Sequence, residues 1–439
     1  MGASISIKPQ QRRDSTKNKV LISSILFMGL GHVLYLKQYL KGLFFAAIEV
    51  VFIAYLPKIT VVLGNLITLG EPQPHLPIRQ RPHSMFMLID GIIVLALIFI
   101  FIGFYIISVR SAVAESDQSR RSPIGLREGI NRALPMIGLA PSIGLILFFV
   151  FIPLVFSACV AFTNYSSPGH IPPNNTVDWV GLENFKTLFG GHTTWTGALV
   201  RVALWTLTWA VLATATCYFG GMLTAVVLKE SRMRIAGFFR ILFILPYAIP
   251  SVISMLVWQN LLNGTFGTLN RTLFTLGVIA KPIPWLGDPR LAKFTAVMIN
   301  LWAGFPYFML LTLGSMTAIS QDVYEAAEID GAGKIQLFWK IILPIVLYQT
   351  APLIIMSFTH NVNNFGAIFF LTGGGPVVKD STLTSSGGTD ILITWIYKLT
   401  VNLMKYHYAS VLAVMVFLVL APIAMINLRR TRSFREGEL

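Results

Sequence analysis

Charge and cysteine are what this chain has least of. Only 12% of its 439 residues are Asp, Glu, Lys or Arg, and it has two cysteines. Cys159 and Cys217 both lie inside apolar runs, which excludes a disulfide framework and offers no metal-ligand spacing; both read as small buried residues. Acidic residues are the scarcer sign, 19 against 34 Lys and Arg, for a net charge of +15. The basic residues flank apolar runs and do not share one helix face, the positive-inside pattern of a membrane protein, so nucleic acid is excluded as a partner. Within the apolar runs the ionisable groups are Glu49, Lys58, Asp90 and His360. So few buried carboxylates speak against a proton-coupled carrier, and for Glu49 and Asp90 a structural hydrogen bond or packing role is expected over a relay. The outer loops lack paired carboxylates and His clusters, which removes a membrane-bound enzyme. A Walker-type Gly-x-x-x-x-Gly-Lys-Ser/Thr is missing too, so P-loop ATP hydrolysis is not expected of this chain.

What the chain has in abundance is apolar length. Hydrophobic residues make up 54% and the mean hydropathy is +0.68. Runs of about 20 apolar residues, each able to cross roughly 30 Å of hydrocarbon, recur along it. The expected spans are Gly42 to Leu63, Met85 to Ser108, Leu134 to Phe162, Leu199 to Leu228, Ile235 to Leu262, Phe294 to Ile319, Ile341 to Leu371 and Ala409 to Leu428. The segment Val20 to Leu36 is short, holds Gly29, Gly31 and His32, and ends in Lys37 and Lys41, so it reads as an interfacial or re-entrant piece. No small-residue cleavage site follows it, and it is expected to be retained. Basic segments at the amino terminus, 110–132, 229–240 and 429–435 call for an even number of crossings with both termini cytoplasmic. The fold class is therefore an all-α polytopic membrane protein with about eight transmembrane helices. Four Gly/Pro/Asn-rich outer segments, with Trp179, Trp285 and Trp395 near their edges, are expected to form a compact cap.

A polar island interrupts this pattern between two long runs. It reads Glu325-Ala-Ala-Glu-Ile-Asp-Gly-Ala-Gly333 and continues to Leu343-Pro344. The Ala pair favours a short helix, Gly331 and Gly333 permit a sharp turn, and a second helix follows that Pro344 could interrupt. Such a helix-turn-helix on a membrane face has the form of a docking handle, with an amphipathic linker as the plainer reading. The flanking runs each carry a polar stripe at helical spacing: Asn300, Gly304 and Tyr307 on one, Ser357, His360, Asn361 and Asn364 on the other. Amides and hydroxyls on one face are costly toward lipid, so each stripe faces the bundle or a cavity; helix-helix hydrogen bonding explains either stripe alone equally well.

The spacing Glu325-Ala-Ala, three residues, Gly331, nine residues, Ile341-x-Leu343-Pro344 resembles the signature loop of permease subunits of binding-protein-dependent ABC importers. Over roughly residues 125 to 439 the chain is similar to the maltose and maltodextrin type of that family. The resembling stretches are Asp178-Trp-Val-Gly-Leu-Glu-Asn-Phe185, Leu245-Pro-Tyr-Ala-Ile-Pro250 with Trp258, and Phe365 to Pro376 ending Leu-Thr-Gly-Gly-Gly-Pro. The resemblance implies two domains: residues 1–124 with a basic segment, the interfacial piece and two extra transmembrane helices, and residues 125–439 as a six-helix permease core with a cytoplasmic coupling loop at 321–344.

It further implies a non-enzymatic subunit in a bacterial cell membrane, with ATP and Mg on a partner ATPase dimer and no cofactor in this chain. The other implied partners are a second, related permease, an extracellular solute-binding protein, membrane lipid and an oligosaccharide substrate. Glu325, Ala326, Ala327, Asp330 and Gly331 would couple to the ATPase. Asn300, Ala303, Gly304, Tyr307, Ser357, His360, Asn361 and Asn364 would bind sugar. Ala303 and His360 depart from the family pattern, where a larger apolar residue and an aromatic ring stand. The substrate expected is maltodextrin-like, with another oligosaccharide such as a galactan fragment or cyclodextrin as the nearer alternative and a secondary carrier as the more distant one.

Overall fold

The computed structural model describes residues 9–118, 134, 138–191, 193–230 and 236–430. Among these the chain is helical, with no strand beyond the isolated bridges Thr163–Trp179 and Ser166–His170. Among the described residues seven helices are long and apolar enough to cross a membrane, and the count is eight if a pair bent through 91° is one crossing. The expected class and span number are those found. Packing separates two compact units, 1–179 and 180–439. The domain boundary expected at 124/125 lies outside the described residues.

The first unit contains α1 (Pro9–Leu26), α2 (Leu30–Leu34), α3 (Tyr39–Thr68), α4 (Ser84–Gln118) and α5 (Gly138–Val160). Residues 20–36 do not form one crossing: the chain breaks at Phe27 to Gly29 and re-forms as the single turn α2. A break inside apolar surroundings frees backbone groups that need partners. The amide of Met28 donates to the buried carboxylate of Glu49 on α3, and the Tyr105 hydroxyl on α4 donates to the carbonyl of Ile25. Glu49 thus closes a broken helix; Lys58 and Asp90 are exposed.

The second unit holds α6 (Glu183–Phe189), α7 (Thr194–Glu230), α8 (Ala236–Ala248), α9 (Ser251–Leu261), α10 (Thr268–Thr275), α11 (Pro289–Thr317), α12 (Gln321–Ile329), α13 (Lys334–Val362), α14 (Phe365–Thr372), α15 (Ser381–Thr384), α16 (Leu392–Val401) and α17 (Tyr406–Arg430). Its core joins Trp205, Trp209 and Ala213 of α7 to Ala296, Val297 and Ile299 of α11 and Ile368 and Leu371 of α14. The α11 helix starts cleanly because Asp288 accepts the amides of Arg290 and Leu291 and Pro289 occupies the first turn, where a missing N–H costs nothing.

Three sequence expectations change here, each through local chemistry. The span Ile235 to Leu262 is not continuous: α8 and α9 meet at the 91° corner at Ile249–Pro250. Proline lacks an amide and pushes the preceding residue out of the helical region, and Pro246, four residues earlier, adds a second weak point. The run Ile341 to Leu371 also splits. The α13 helix ends at Val362, and Asn364 caps α14 by accepting the amide of Ala367 at 3.2 Å. Pro344, finally, does not interrupt α13, which runs unbroken from Lys334. The preceding turn, Phe338–Ile342, widens to π geometry, as Leu147–Phe151 does before Pro153, relieving the clash between a proline ring and the carbonyl one turn back.

Candidate functional site

The corner between α8 and α9 opens a cavity of about 920 Å³ inside the second unit. Non-helical backbone at membrane depth is tolerated where it lines a wet cavity, and here the corner residues Pro246 to Ser251 form one side of it. On α11 the cavity meets Asn300, Ala303, Gly304 and Tyr307; on and just beyond α13 it meets Ser357, His360, Asn361 and Asn364. All eight candidate residues therefore share one space. They do so from different elements than the spacing suggested, since Asn364 sits past the end of α13 as the cap of α14.

The polar groups are unevenly committed. Asn361 is 5% exposed; its Nδ2 donates to Thr214 Oγ1 at 3.0 Å, and its backbone carbonyl accepts from the Trp209 indole at 3.1 Å. Asn364 Nδ2 lies 3.5 Å from Asn361 Oδ1. Asn300 donates from Nδ2 to Cys217 Sγ at 3.4 Å, while the same thiol donates to the Asn300 carbonyl at 3.3 Å. Gly304 makes this approach possible, because a Cβ there would stand 2.8 Å from the sulfur. Tyr307 is exposed to the cavity, with its ring centroid 6.2 Å from that of Tyr247. Ser254 is buried and its hydroxyl has no protein partner. Among the described residues the lining contains neither carboxylate, Lys nor Arg; His360, exposed, is its one histidine. No group of three or more potential metal ligands occurs among the described residues. The arrangement offers hydrogen bonds and aromatic faces to a neutral, hydroxyl-rich molecule.

Tyr247, Ser251 and Ser254 were missed by the sequence reading, which took their segment as a plain span. The available signal was two prolines four residues apart, Pro246 and Pro250, inside an apolar run. Thr214 and Cys217 gave almost no signal, because small polar residues are common in membrane helices.

The polar island is the helix-turn-helix expected. Ser320 caps α12 by accepting the amide of Asp322, and α12 closes in a Schellman motif: Ala332 N–H donates to Ala327 carbonyl at 2.9 Å and Gly331 N–H to Glu328 carbonyl at 3.0 Å. This closure needs φ of 77° at Gly331, a value natural to glycine. Glu325, Ala326, Asp330 and Gly331 are exposed, whereas Ala327 is buried. The loop is anchored by Tyr324, Leu337 and Phe338 against Met316, Ile342 and Val346, and by Lys229 of α7, which bonds the Met316 carbonyl and the Tyr324 hydroxyl. Ile329 and Ile335 remain 85% and 76% exposed, leaving an apolar, charge-rimmed tip.

Residues 218–431 match the family described as the binding-protein-dependent transport system inner membrane component. The galactooligosaccharides transport system permease protein GanP of Bacillus subtilis (strain 168) is 34% identical over 415 residues, covering 93% of this chain and 96% of that one. The chain belongs to this family. The maltodextrin transport system permease protein MalC of Streptococcus pneumoniae (strain ATCC BAA-255 / R6) is also 34% identical, over 434 residues, 95% of this permease and 96% of MalC. The maltose/maltodextrin permease protein MalF of Escherichia coli (strain K12) is 36% identical over 265 residues, 60% of this chain and 51% of its own length. Among solved structures, a bacterial ABC transporter that imports the acidic polysaccharide alginate shares the permease fold, with a TM-score of 0.55 over 70% of this chain and 99% of that one at 22% identity.

Proposed function

We propose that this permease carries maltodextrin-like oligosaccharides through the cavity between α8/α9, α11 and α13 by alternating access. The observation that supports it is the convergence of Asn300, Tyr307, Ser357, Asn361 and Asn364 on one space without an ionic side chain. A neutral sugar chain needs such hydrogen-bonding groups and aromatic faces, and about 920 Å³ lies at the upper end of ordinary ligand sites. In this reading both termini and the loop 321–344 are cytoplasmic, and the exposed tip of α12 with Glu325, Ala326, Asp330 and Gly331 docks on an ATPase dimer that holds ATP and Mg. A second, related permease completes the pathway, and an extracellular solute-binding protein delivers the sugar. Domains follow the same logic, with 125–439 as the transport core and 1–124 as an addition to it. A second reading, galactooligosaccharide as substrate, is favoured by the equal identity to the GanP and MalC proteins.

Reconstitution of the complex in liposomes, with labelled maltotriose and labelled galactotriose offered separately, tests both readings. ATP-dependent uptake of maltotriose is expected, and uptake of galactotriose alone would select the second reading. Uptake by this chain alone, driven by an ion gradient, would overturn the importer assignment. Within the same assay Glu325→Lys should abolish ATP-driven uptake while leaving the subunit in the membrane.

A further inference from the structure

The amides that face the cavity from α11 and α13 are both held by one helix. On α7, Thr214 and Cys217 are three residues apart and so lie on one face, a turn from each other. Thr214, 5% exposed, takes the Nδ2 of Asn361; Cys217, 4% exposed, takes the Nδ2 of Asn300 and returns its own proton to the Asn300 carbonyl. Trp209, on the same helix, fixes the Asn361 carbonyl.

An asparagine amide turns easily about its last torsion, presenting oxygen or nitrogen to a ligand at little cost. With one N–H engaged by α7 each amide is held in one orientation and presents Oδ1 as an acceptor; that of Asn361 meets only the Nδ2 of Asn364, at the long distance of 3.5 Å, a contact it can exchange for a ligand hydroxyl. We infer that Thr214 and Cys217 are positioning residues that orient Asn361 and Asn300 with oxygen available to the cavity, so that two acceptors, one on each side, await donor hydroxyls of the sugar. This rests on the proposed reading of the cavity as the sugar site. It also explains why a thiol is used beside Asn300: one sulfur can donate to the carbonyl and accept from the amide at the long distances of 3.3 and 3.4 Å.

The test is a double-mutant cycle on uptake of labelled oligosaccharide by the full complex, with membrane content of each variant measured by immunoblot. Thr214→Val keeps the shape and removes the hydroxyl; it should raise the KM for uptake roughly five- to tenfold with maximal rate unchanged, the loss expected for one hydrogen bond. Thr214→Ser should restore the wild-type KM. On an Asn361→Ala background Thr214→Val should add nothing. The inference is overturned if Thr214→Val leaves KM unaltered, or if its effect adds in full to that of Asn361→Ala. If Asn361→Ala by itself leaves KM unaltered, it is the cavity reading that fails, and the positioning role falls with it. Should Thr214→Val fail to accumulate in the membrane, the Cys217→Ala and Cys217→Ser pair against Asn300→Ala decides in the same way.

Discussion

The cavity is lined without carboxylate, Lys or Arg, whereas the segment between α14 and α16 is built around such groups, and the two use their polar atoms in opposite ways. In the segment between α14 and α16 polar groups consume one another. Arg201 binds both carboxylate oxygens of Asp380 at 2.8 Å and the Gly387 carbonyl at 2.7 Å. Asp390 accepts from Lys398 at 2.7 Å, from the Gly387 amide at 2.6 Å and from Thr394 at 2.8 Å. Trp205 and Trp395 cap the carbonyls of Thr389 and Thr384. Burial pushes the Asp390 carboxyl up, and Lys398 with the three hydrogen bonds offsets part of that cost. In the cavity Asn300 and Asn361 each have one side-chain partner on α7 and otherwise only the long 3.5 Å contact from Asn364 to Asn361, and the Ser254 hydroxyl has no protein partner. A saturated network specifies one arrangement; a half-saturated one is ready to exchange partners with a ligand.

Breaking the saturated side should have the largest effect. Lys398→Met leaves the fully buried Asp390 side chain unpaired and should cost about 3–5 kcal/mol, read as a fall in the thermal midpoint of the detergent-solubilised complex, with KM for uptake unmoved in the protein that survives. A midpoint equal to wild type would mean that the Asp390 network is not what holds this segment. Gly304→Ala comes next: its Cβ must displace the Cys217 sulfur, and roughly 1–3 kcal/mol of overpacking should appear together with a higher KM, because Asn300 loses its support. A change in stability without a change in KM would separate Gly304 from the cavity. The smallest effect belongs to Ser357→Ala, one hydroxyl facing the space, for which about 0.5–1.5 kcal/mol is expected in apparent sugar affinity and none in the thermal midpoint. A drop in midpoint there would make Ser357 part of the framework.

Much of this was legible in the sequence because membrane helices announce themselves by apolar length, and because a charged island such as Asp322 to Lys340 has nowhere to go but a membrane face. The two stripes were visible at helical spacing, so the structure's gathering of Asn300 and Asn361 around one space needed only the fold. What stayed hidden depended on backbone detail. Hydropathy averages over Ile249–Pro250 and Asn363–Asn364, so it joins α8 to α9 and α13 to α14, although in each case a proline or a capping asparagine ends the helix. The partners of the amides were hidden for another reason: Thr214 and Cys217 meet them across helices, a relation that no spacing within one segment encodes.

The anchoring of the polar island at Met316, Ile342 and Val346 also fixes a mechanical proportion. From Met316 to Asn300 the chain climbs about 24 Å and from Val346 to Asn361 about 23 Å, at 1.5 Å per residue. Each of these lengths contains one helical proline, Pro306 and Pro352. The two arms have nearly matching length and one proline apiece, and α7 holds both near the end that carries the amides. A displacement entering at the island would arrive at the two amides with the same gain, parting or closing the walls in step instead of shearing one past the other.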